Sequence, residues 1–303
     1  MSLIVTGSIG LDTVHTPTGS ARNILGGSCT YFAAAASFFG PVRIVAAVGD
    51  DFPDQHMRAF EHFGIDTLGL ERRAGSRTFS WTGKYLPNMN DRETLEVQPN
   101  VLAEDLPPVP ESYRDSRYVF LANTHPEGQM ALLDQFPNRT LAVADTMDLW
   151  IETARPQLEN LIAKIDGLVL NDSEARLLTG ESNMVAASTK ILDMGPTFVV
   201  VKKGEHGCLL RHRDGLGILH AYPALHVVDP TGAGDSFAGG MMGHLASIDD
   251  TSLGALRVAI AKGTIVASYT IESFILQRLQ EIDRKDIEGR LAEYRSMLLF
   301  EEA

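Results

Sequence analysis

The stretch His226–Gly243, HVVDPTGAGDSFAGGMMG, gathers residue types that handle phosphate and protons. Two valines read as the end of a strand, Asp229, Pro230 and Thr231 make a turn, and Gly232, Ala233, Gly234 and Asp235 lead into a helix. The first turn of a helix offers unpaired N–H groups and the positive end of the dipole, so anions settle there. Glycine lets a ligand approach the backbone because no Cβ stands in the way. Asp235 falls in that first turn, where a carboxylate can take a proton from a hydroxyl. A bare turn of this kind is equally explained by an acidic residue stabilising the helix dipole. Gly239, Gly240 and Gly243 each cost roughly 1 kcal/mol in a helix interior against Ala. Their spacing predicts one helix face onto which another element packs very closely.

Other chemistry is excluded or left open. Phe237 stands where a dinucleotide fingerprint needs its third glycine, and Gly83-Lys84 is followed by Tyr85 without the upstream glycine of a Walker A loop. Asn171 and Glu174 lie three apart at a strand end. They fit a helix start capped by Asn171 or Ser173, or a Glu holding Mg²⁺ through water. Asp12 fits a turn residue or an acceptor for hydroxyl groups. His125, His206, His226 and His244 have no metal-site spacing and read as structural or surface residues.

Among 303 residues, 26 Lys and Arg face 39 Asp and Glu, a formal net charge of −13. Such a surface repels nucleic acid and anionic membrane, so an anion must be held by local donors. The two cysteines, Cys29 and Cys208, match no metal or redox spacing and fit a reducing compartment. The N-terminus lacks the basic region of a signal peptide, and the apolar run Tyr31–Phe39 is far shorter than the ~20 residues that span a bilayer. A cytoplasmic protein is expected, with no nucleic-acid or membrane partner.

The elements that must position these residues alternate. Strands are expected at Leu3–Ser8, Arg43–Val48, Tyr118–Ala122, Leu141–Ala144, Gly167–Leu170 and Phe198–Val201, with helices such as Ser28–Phe39, Phe52–Phe63, Ser236–Leu245 and Leu253–Ser268. Near-continuous apolar strands separated by helices indicate a parallel sheet covered on both faces. Two regions break the alternation, the polar Thr13–Arg22 and the period-2 stretches of Leu68–Val97. They predict a small β-layer, about 13–24 and 68–100, on the edge of a single domain covering 1–303.

The segment DPTGAGDSFAGG resembles the C-terminal signature of the PfkB/ribokinase family of sugar and nucleoside kinases. In order, Leu25-Gly26-Gly27 resembles the family's N-terminal glycine pair and Ala47-Val48-Gly49-Asp50-Asp51 its VGxD strand end. Asn171-Asp172-Ser173-Glu174 resembles its N-x-x-E motif, and Lys203-Gly204-Glu205-His206-Gly207 its nucleotide-side glycine turn. The resemblance runs from about Ile4 to about Ala267. It implies a ribokinase-like three-layer α/β sandwich, a mostly parallel central sheet and a small β-sheet lid.

The implied activity is ATP-dependent phosphorylation of a primary hydroxyl on a small sugar, with a nucleoside or a catalytically silent ligand-binding relative as alternatives. Asp235 would be the general base, and the N–H groups of Gly232, Ala233 and Gly234 an anion hole. Asn171, Glu174, Lys202, Gly204, Gly207 and Thr231 would serve ATP, with Glu174 holding Mg²⁺ through water. Asp229 and Thr231 lie where relatives bind a monovalent cation, which makes K⁺ a candidate. Asp12, Gly26, Gly27, Tyr31 and Asn123 would meet the substrate. Lids of relatives often pair, implying a homodimer through the lid.

Three departures bear on specificity. Tyr31 stands where the family often has Asn, so it offers a ring to a base or a sugar face, or packs within its helix beside Phe32. Lys202-Lys203 replace the more usual Thr-Leu, and either reaches a phosphate or lies exposed at a strand end. Pro230 replaces a common Thr. Trp81, Tyr85, Asn90 and Arg92 mark the expected lid, and Asn123, Asp145 and Trp150 follow strand ends.

Overall fold

The structure, a computed structural model, describes residues 1–299. Its strands are β1 (Leu3–Thr6), β2 (Gly10–Thr16), β3 (Gly19–Gly26), β4 (Val42–Gly49), β5 (Asp66–Arg73), β6 (Ser80–Tyr85) and β7 (Arg92–Gln98). They continue with β8 (Tyr118–Leu121), β9 (Leu141–Asp145), β10 (Gly167–Asn171), β11 (Phe198–Lys202), β12 (Cys208–His212) and β13 (Gly215–Leu219). The helices are α1 (Ser28–Ser37), α2 (Asp54–His62), α3 (Pro126–Leu133), α4 (Asp148–Thr153), α5 (Arg155–Ile162) and α6 (Asp172–Thr179), then α7 (Met184–Asp193), α8 (Ala233–Ile248), α9 (Leu253–Thr270), α10 (Gln277–Glu281) and α11 (Arg284–Leu298).

Nine strands form the large sheet in the order β13-β12-β11-β10-β9-β8-β1-β4-β5. All its pairings are parallel except those of β12 with β11 and β13. Because side chains alternate across a strand, β1 sends Leu3 and Val5 into one core with α1, α8 and α9. Ile4 points into the other core, with residues of α3 to α7. Burial on both faces explains why strands such as LIVT and YVFL are apolar throughout.

From β1 the chain builds outward to β4 and β5 on one side and to β8, β9, β10 and β11 on the other. That reversal opens a crevice beyond the carboxyl ends of the strands, the usual ligand side of such sheets. The smaller sheet has the order β3-β2-β6-β7, with β2 and β6 parallel and the other pairs antiparallel. Val14, Ile24 and Tyr85 form its apolar patch, packed with Trp81, Phe274 and Ile275.

Three local expectations need correction. Within 68–100, only β6 and β7 belong to the smaller sheet, because β5 completes the edge of the large one beside β4. The other arm of the small sheet is longer than 13–24, spanning Gly10–Gly26. The valines before the glycine-rich turn end no strand. Val228 N–H donates instead to the Ile271 carbonyl at 2.8 Å, which ties the loop to the end of α9. No helix among the described residues is long and apolar enough to cross a membrane.

Candidate active site

The loop before α8 is shaped by Gly232, whose φ of 75° lies in the left-handed region that glycine adopts without strain. Space makes the same demand: a Cβ here would sit 2.2 Å from the Tyr31 ring. Tyr31 is therefore a buried packing partner of the loop, 1% exposed, and offers no ring face to a ligand. Its phenol oxygen is buried without a hydrogen-bond partner among the described residues. Burial and the carboxylates of Asp229 and Asp12 raise its pKa well above the usual value. Of the three expected anion donors, the Ala233 N–H is occupied by the Pro230 carbonyl at 3.1 Å.

Asp235 occupies the first turn of α8. Burial raises its pKa, while the positive charges of Lys202 and Arg92 pull the other way. Lys202, the last residue of β11, is the member of the Lys202-Lys203 pair that reaches the loop. Its Nζ lies 2.6 Å from where a Gly234 Cβ would stand, directly over the start of α8. Asp145 closes β9 at the same carboxyl end of the sheet, a residue the sequence marked as following a strand end without giving it a role. It is buried, one carboxylate oxygen has no partner, and burial plus the charge of Asp235 push its pKa well up. Its position at a strand end was the available signal. Gln129 on α3 aligns these strand ends, its side-chain amide donating to the carbonyls of Leu121, Ala122 and Asp145.

Asn171 and Glu174 make a reciprocal capping box at the start of α6. The Asn171 side chain accepts from Glu174 N–H at 2.8 Å, and Glu174 Oε2 accepts from Asn171 N–H at 2.7 Å. The helix-start reading holds, yet Glu174 is also buried, and burial lifts its pKa to about 7 against the pull of Lys202. One pair of residues thus starts the helix and buries a carboxylate at the carboxyl end of β10. In the next turn, Gly204 has a φ of 54°, and a Cβ there would approach the Asn90 side chain of the small sheet at 3.0 Å. Gly207 has a purely structural reason, since its Cβ would strike the Leu219 carbonyl at 2.0 Å.

On the small-sheet side, Asp12 is 4% exposed with one oxygen unpartnered, and burial raises its pKa to about 7. Gly26 makes room for this carboxylate, since a Cβ would stand 1.9 Å from Asp12 Oδ2. Gly27 clears the Ser8 carbonyl, 2.4 Å from its would-be Cβ, and precedes α1. The glycine pair is thus accounted for by the chain's own packing. Asn123 is engaged on both sides of its amide, accepting from Trp150 Nε1 at 2.8 Å and lying 3.1 Å from Met147 Sδ.

Asp229 is 1% exposed, its Oδ1 accepting from Thr231 N–H at 2.9 Å and its Oδ2 unpartnered. Burial raises its pKa. Thr231 Oγ1 lies 3.3 Å from the Tyr85 hydroxyl, joining the loop to the small sheet. Orphaned carboxylate oxygens on Asp145 and Asp229 are hard donors that suit Mg²⁺ or K⁺. Among the described residues no cluster of three or more His, Cys, Asp or Glu forms an all-protein metal cage.

A parallel sheet with its carboxyl-end crevice, a small β-layer above it and a glycine-shaped helix start carrying an aspartate define a phosphotransferase of the sugar and nucleoside kinase type. Residues 6–280 match the family described as pfkB family carbohydrate kinase, and the chain belongs to that family. The cytidine kinase of Thermococcus kodakarensis is 27% identical over 251 residues, covering 80% of this chain and 87% of that protein. The nucleoside kinase of Burkholderia thailandensis in complex with inosine superposes with a TM-score of 0.77 at 18% identity, over 97% of this chain and 99% of that one. Ribokinase from Cryptococcus neoformans in complex with ADP gives 0.79 at 20% identity, over 95% and 99%. The fold is the ribokinase-like three-layer sandwich expected from the motifs.

Proposed function

We propose that this chain transfers the terminal phosphoryl group of ATP to a primary hydroxyl of a small sugar or ribosyl compound, with Asp235 as general base. The observation that carries this reading is the juxtaposition of Asp235, at the helix start shaped by Gly232, with the Lys202 ammonium over Gly234. Asp235 takes the hydroxyl proton as the oxygen attacks phosphorus, and the bond to the departing ADP breaks on the opposite side. The N–H groups of Gly232 and Gly234 and the Lys202 ammonium receive the charge that builds on the phosphoryl oxygens. The engaged Ala233 N–H has the lesser part.

Asp12 accepts hydrogen bonds from substrate hydroxyls, and the buried phenol of Tyr31 supplies a donor beside it. Gly204 and its turn support the nucleotide. Glu174 and Asp145 would hold Mg²⁺ through water, and Asp229 with Thr231 would hold K⁺. When bound, such cations neutralise phosphate charge. The cytidine kinase relative and the neighbour that binds inosine favour a nucleoside acceptor over a free sugar. Tyr31, packed under Gly232, does not supply the base-stacking surface. The small sheet acts as a lid within one kinase domain, and its edges pair two copies in a cytoplasmic homodimer.

The test is ADP release with Mg-ATP across pentoses, hexoses, ribonucleosides and deoxyribonucleosides, with and without K⁺. Asp235→Asn should lower turnover ~10²–10⁴-fold while MgATP binding, measured by calorimetry, stays close to wild type. Near-normal turnover in that variant removes Asp235 as the base. Turnover confined to nucleosides or to free sugars decides the acceptor class.

A further inference from the structure

The small sheet carries a cation that the reaction described above has not used. Arg92 opens β7, directly opposite Tyr85 in the β6–β7 register. Residues directly opposite in an antiparallel pair share a face of the sheet. The Tyr85 face looks down on the phosphate loop, with the phenol 3.3 Å from Thr231 Oγ1. The turn joining the two strands also touches the nucleotide side, where Asn90 Nδ2 donates to Glu205 Oε1 at 2.8 Å. The β6–β7 hairpin therefore bridges from the start of α8 to the turn after β11, and Arg92 hangs beneath the bridge.

Its charge is not consumed locally. Arg92 lies over the Trp81 ring, its Cζ 5.9 Å from the centroid, and makes no ion pair with any carboxylate among the described residues. Lys202 below it is likewise without an ion pair among the described residues. Lys202 Nζ stands over Gly234 at the start of α8, and Arg92 shares the sheet face of Tyr85, whose phenol reaches Thr231 in the loop before that helix. The positive charge of each also pulls down the pKa of Asp235. Two cations without ion pairs among the described residues, one at the end of β11 and one on the hairpin that reaches the same loop, make a local anion site in a protein of net charge −13.

We propose that Arg92 is a catalytic residue of the lid that grips the terminal phosphoryl group of the nucleotide from above while Lys202 and the α8 start hold it from below. The planar guanidinium presents forked donors that match phosphate oxygens, and it keeps its charge throughout. Because it rides on the lid, the full cation set assembles only when the hairpin rests on Thr231 and Glu205. This assignment depends on the phosphoryl-transfer reading, and the test separates the two.

The test is calorimetric binding of MgATP and MgADP to wild type, Arg92→Gln and Arg92→Lys, followed by turnover on whichever acceptor is active. Arg92 is exposed at a sheet edge, so the variants are expected to fold, which the thermal midpoint checks. A contact to the terminal group predicts MgATP affinity ~10-fold weaker in Arg92→Gln with MgADP changed less than ~2-fold, and partial recovery in Arg92→Lys. A purely structural role on Trp81 predicts equal effects on both nucleotides. Equal effects, or none, overturn the proposal and leave the kinase reading standing. A wild type that binds neither nucleotide overturns both. Turnover in Arg92→Gln should fall ~10²-fold or more, and turnover within ~2-fold of wild type overturns the catalytic role.

Discussion

Asp12 and Glu174 show at residue scale how one carboxylate answers to both folding and chemistry. Each is buried, and burial lifts each to about 7 from an ordinary value near 4. A raised carboxyl pKa means that the folded state prefers the neutral acid. The associated stability is fully present below the unfolded value and is lost as pH rises through about 7. The ligand-free protein should thus become less stable between about pH 4 and about pH 7, and Asp12→Asn should flatten that slope. Thermal midpoints across this range check it, and parallel slopes for the two proteins would remove Asp12 as a source. Activity runs the other way, because hydroxyl groups donate best to the carboxylate, so kcat/KM for the acceptor should fall as pH drops below about 7. Asp235 and Lys202 were legible in sequence because the motif and a strand end frame them. Asp145 and Arg92 were visible only as strand-end and lid residues, since nothing local says which crevice they face.

At the scale of elements, the glycines of α8 explain how the helix that carries Asp235 is seated. They do not share one partner, as their spacing had suggested. A Cβ on Gly239 would lie 2.3 Å from the Phe32 carbonyl, and one on Gly243 2.9 Å from the Ala36 carbonyl, both on α1. Gly240 instead meets Gly263 of α9, whose Cα is 3.0 Å from its would-be Cβ. The helix is wedged between two others, backbone against backbone, and this fixes the height of Asp235 below the crevice. Gly239→Ala should destabilise the protein by ~1–3 kcal/mol through overpacking against main chain that cannot yield. Gly289→Ala on α11, where nothing lies within 4 Å, should stabilise it by ~0.5–1 kcal/mol. Urea unfolding of the two variants provides the comparison, and similar shifts of the same sign would refute the wedge.

For the molecule as a whole, β7 is the exposed outer strand of the small sheet. All seven of its residues are exposed, with Leu95 at 54% and Val97 at 46%. An open edge with apolar side chains is a template for pairing with another strand. A second copy of the lid covers it in the proposed dimer. Light scattering after gel filtration should report a dimer for the wild type and a monomer for Leu95→Lys combined with Val97→Lys. A monomeric wild type at micromolar concentration would dispose of the lid dimer.

The sequence alone determined the layered parallel sheet, because strands buried on both faces must be apolar along their length, and it located the glycine-rich helix start, because phosphate chemistry leaves a contiguous mark. Tertiary structure decided what depends on distant residues meeting. It placed β5 in the large sheet beside β4, since a period-2 pattern does not name a partner. It turned Tyr31 under Gly232, left Gly26 housing the Asp12 carboxylate, and engaged Asn123 with Trp150. It also brought the β6–β7 hairpin that carries Arg92 to the loop beside the helix start over which Lys202 lies, two charges more than a hundred positions apart in sequence.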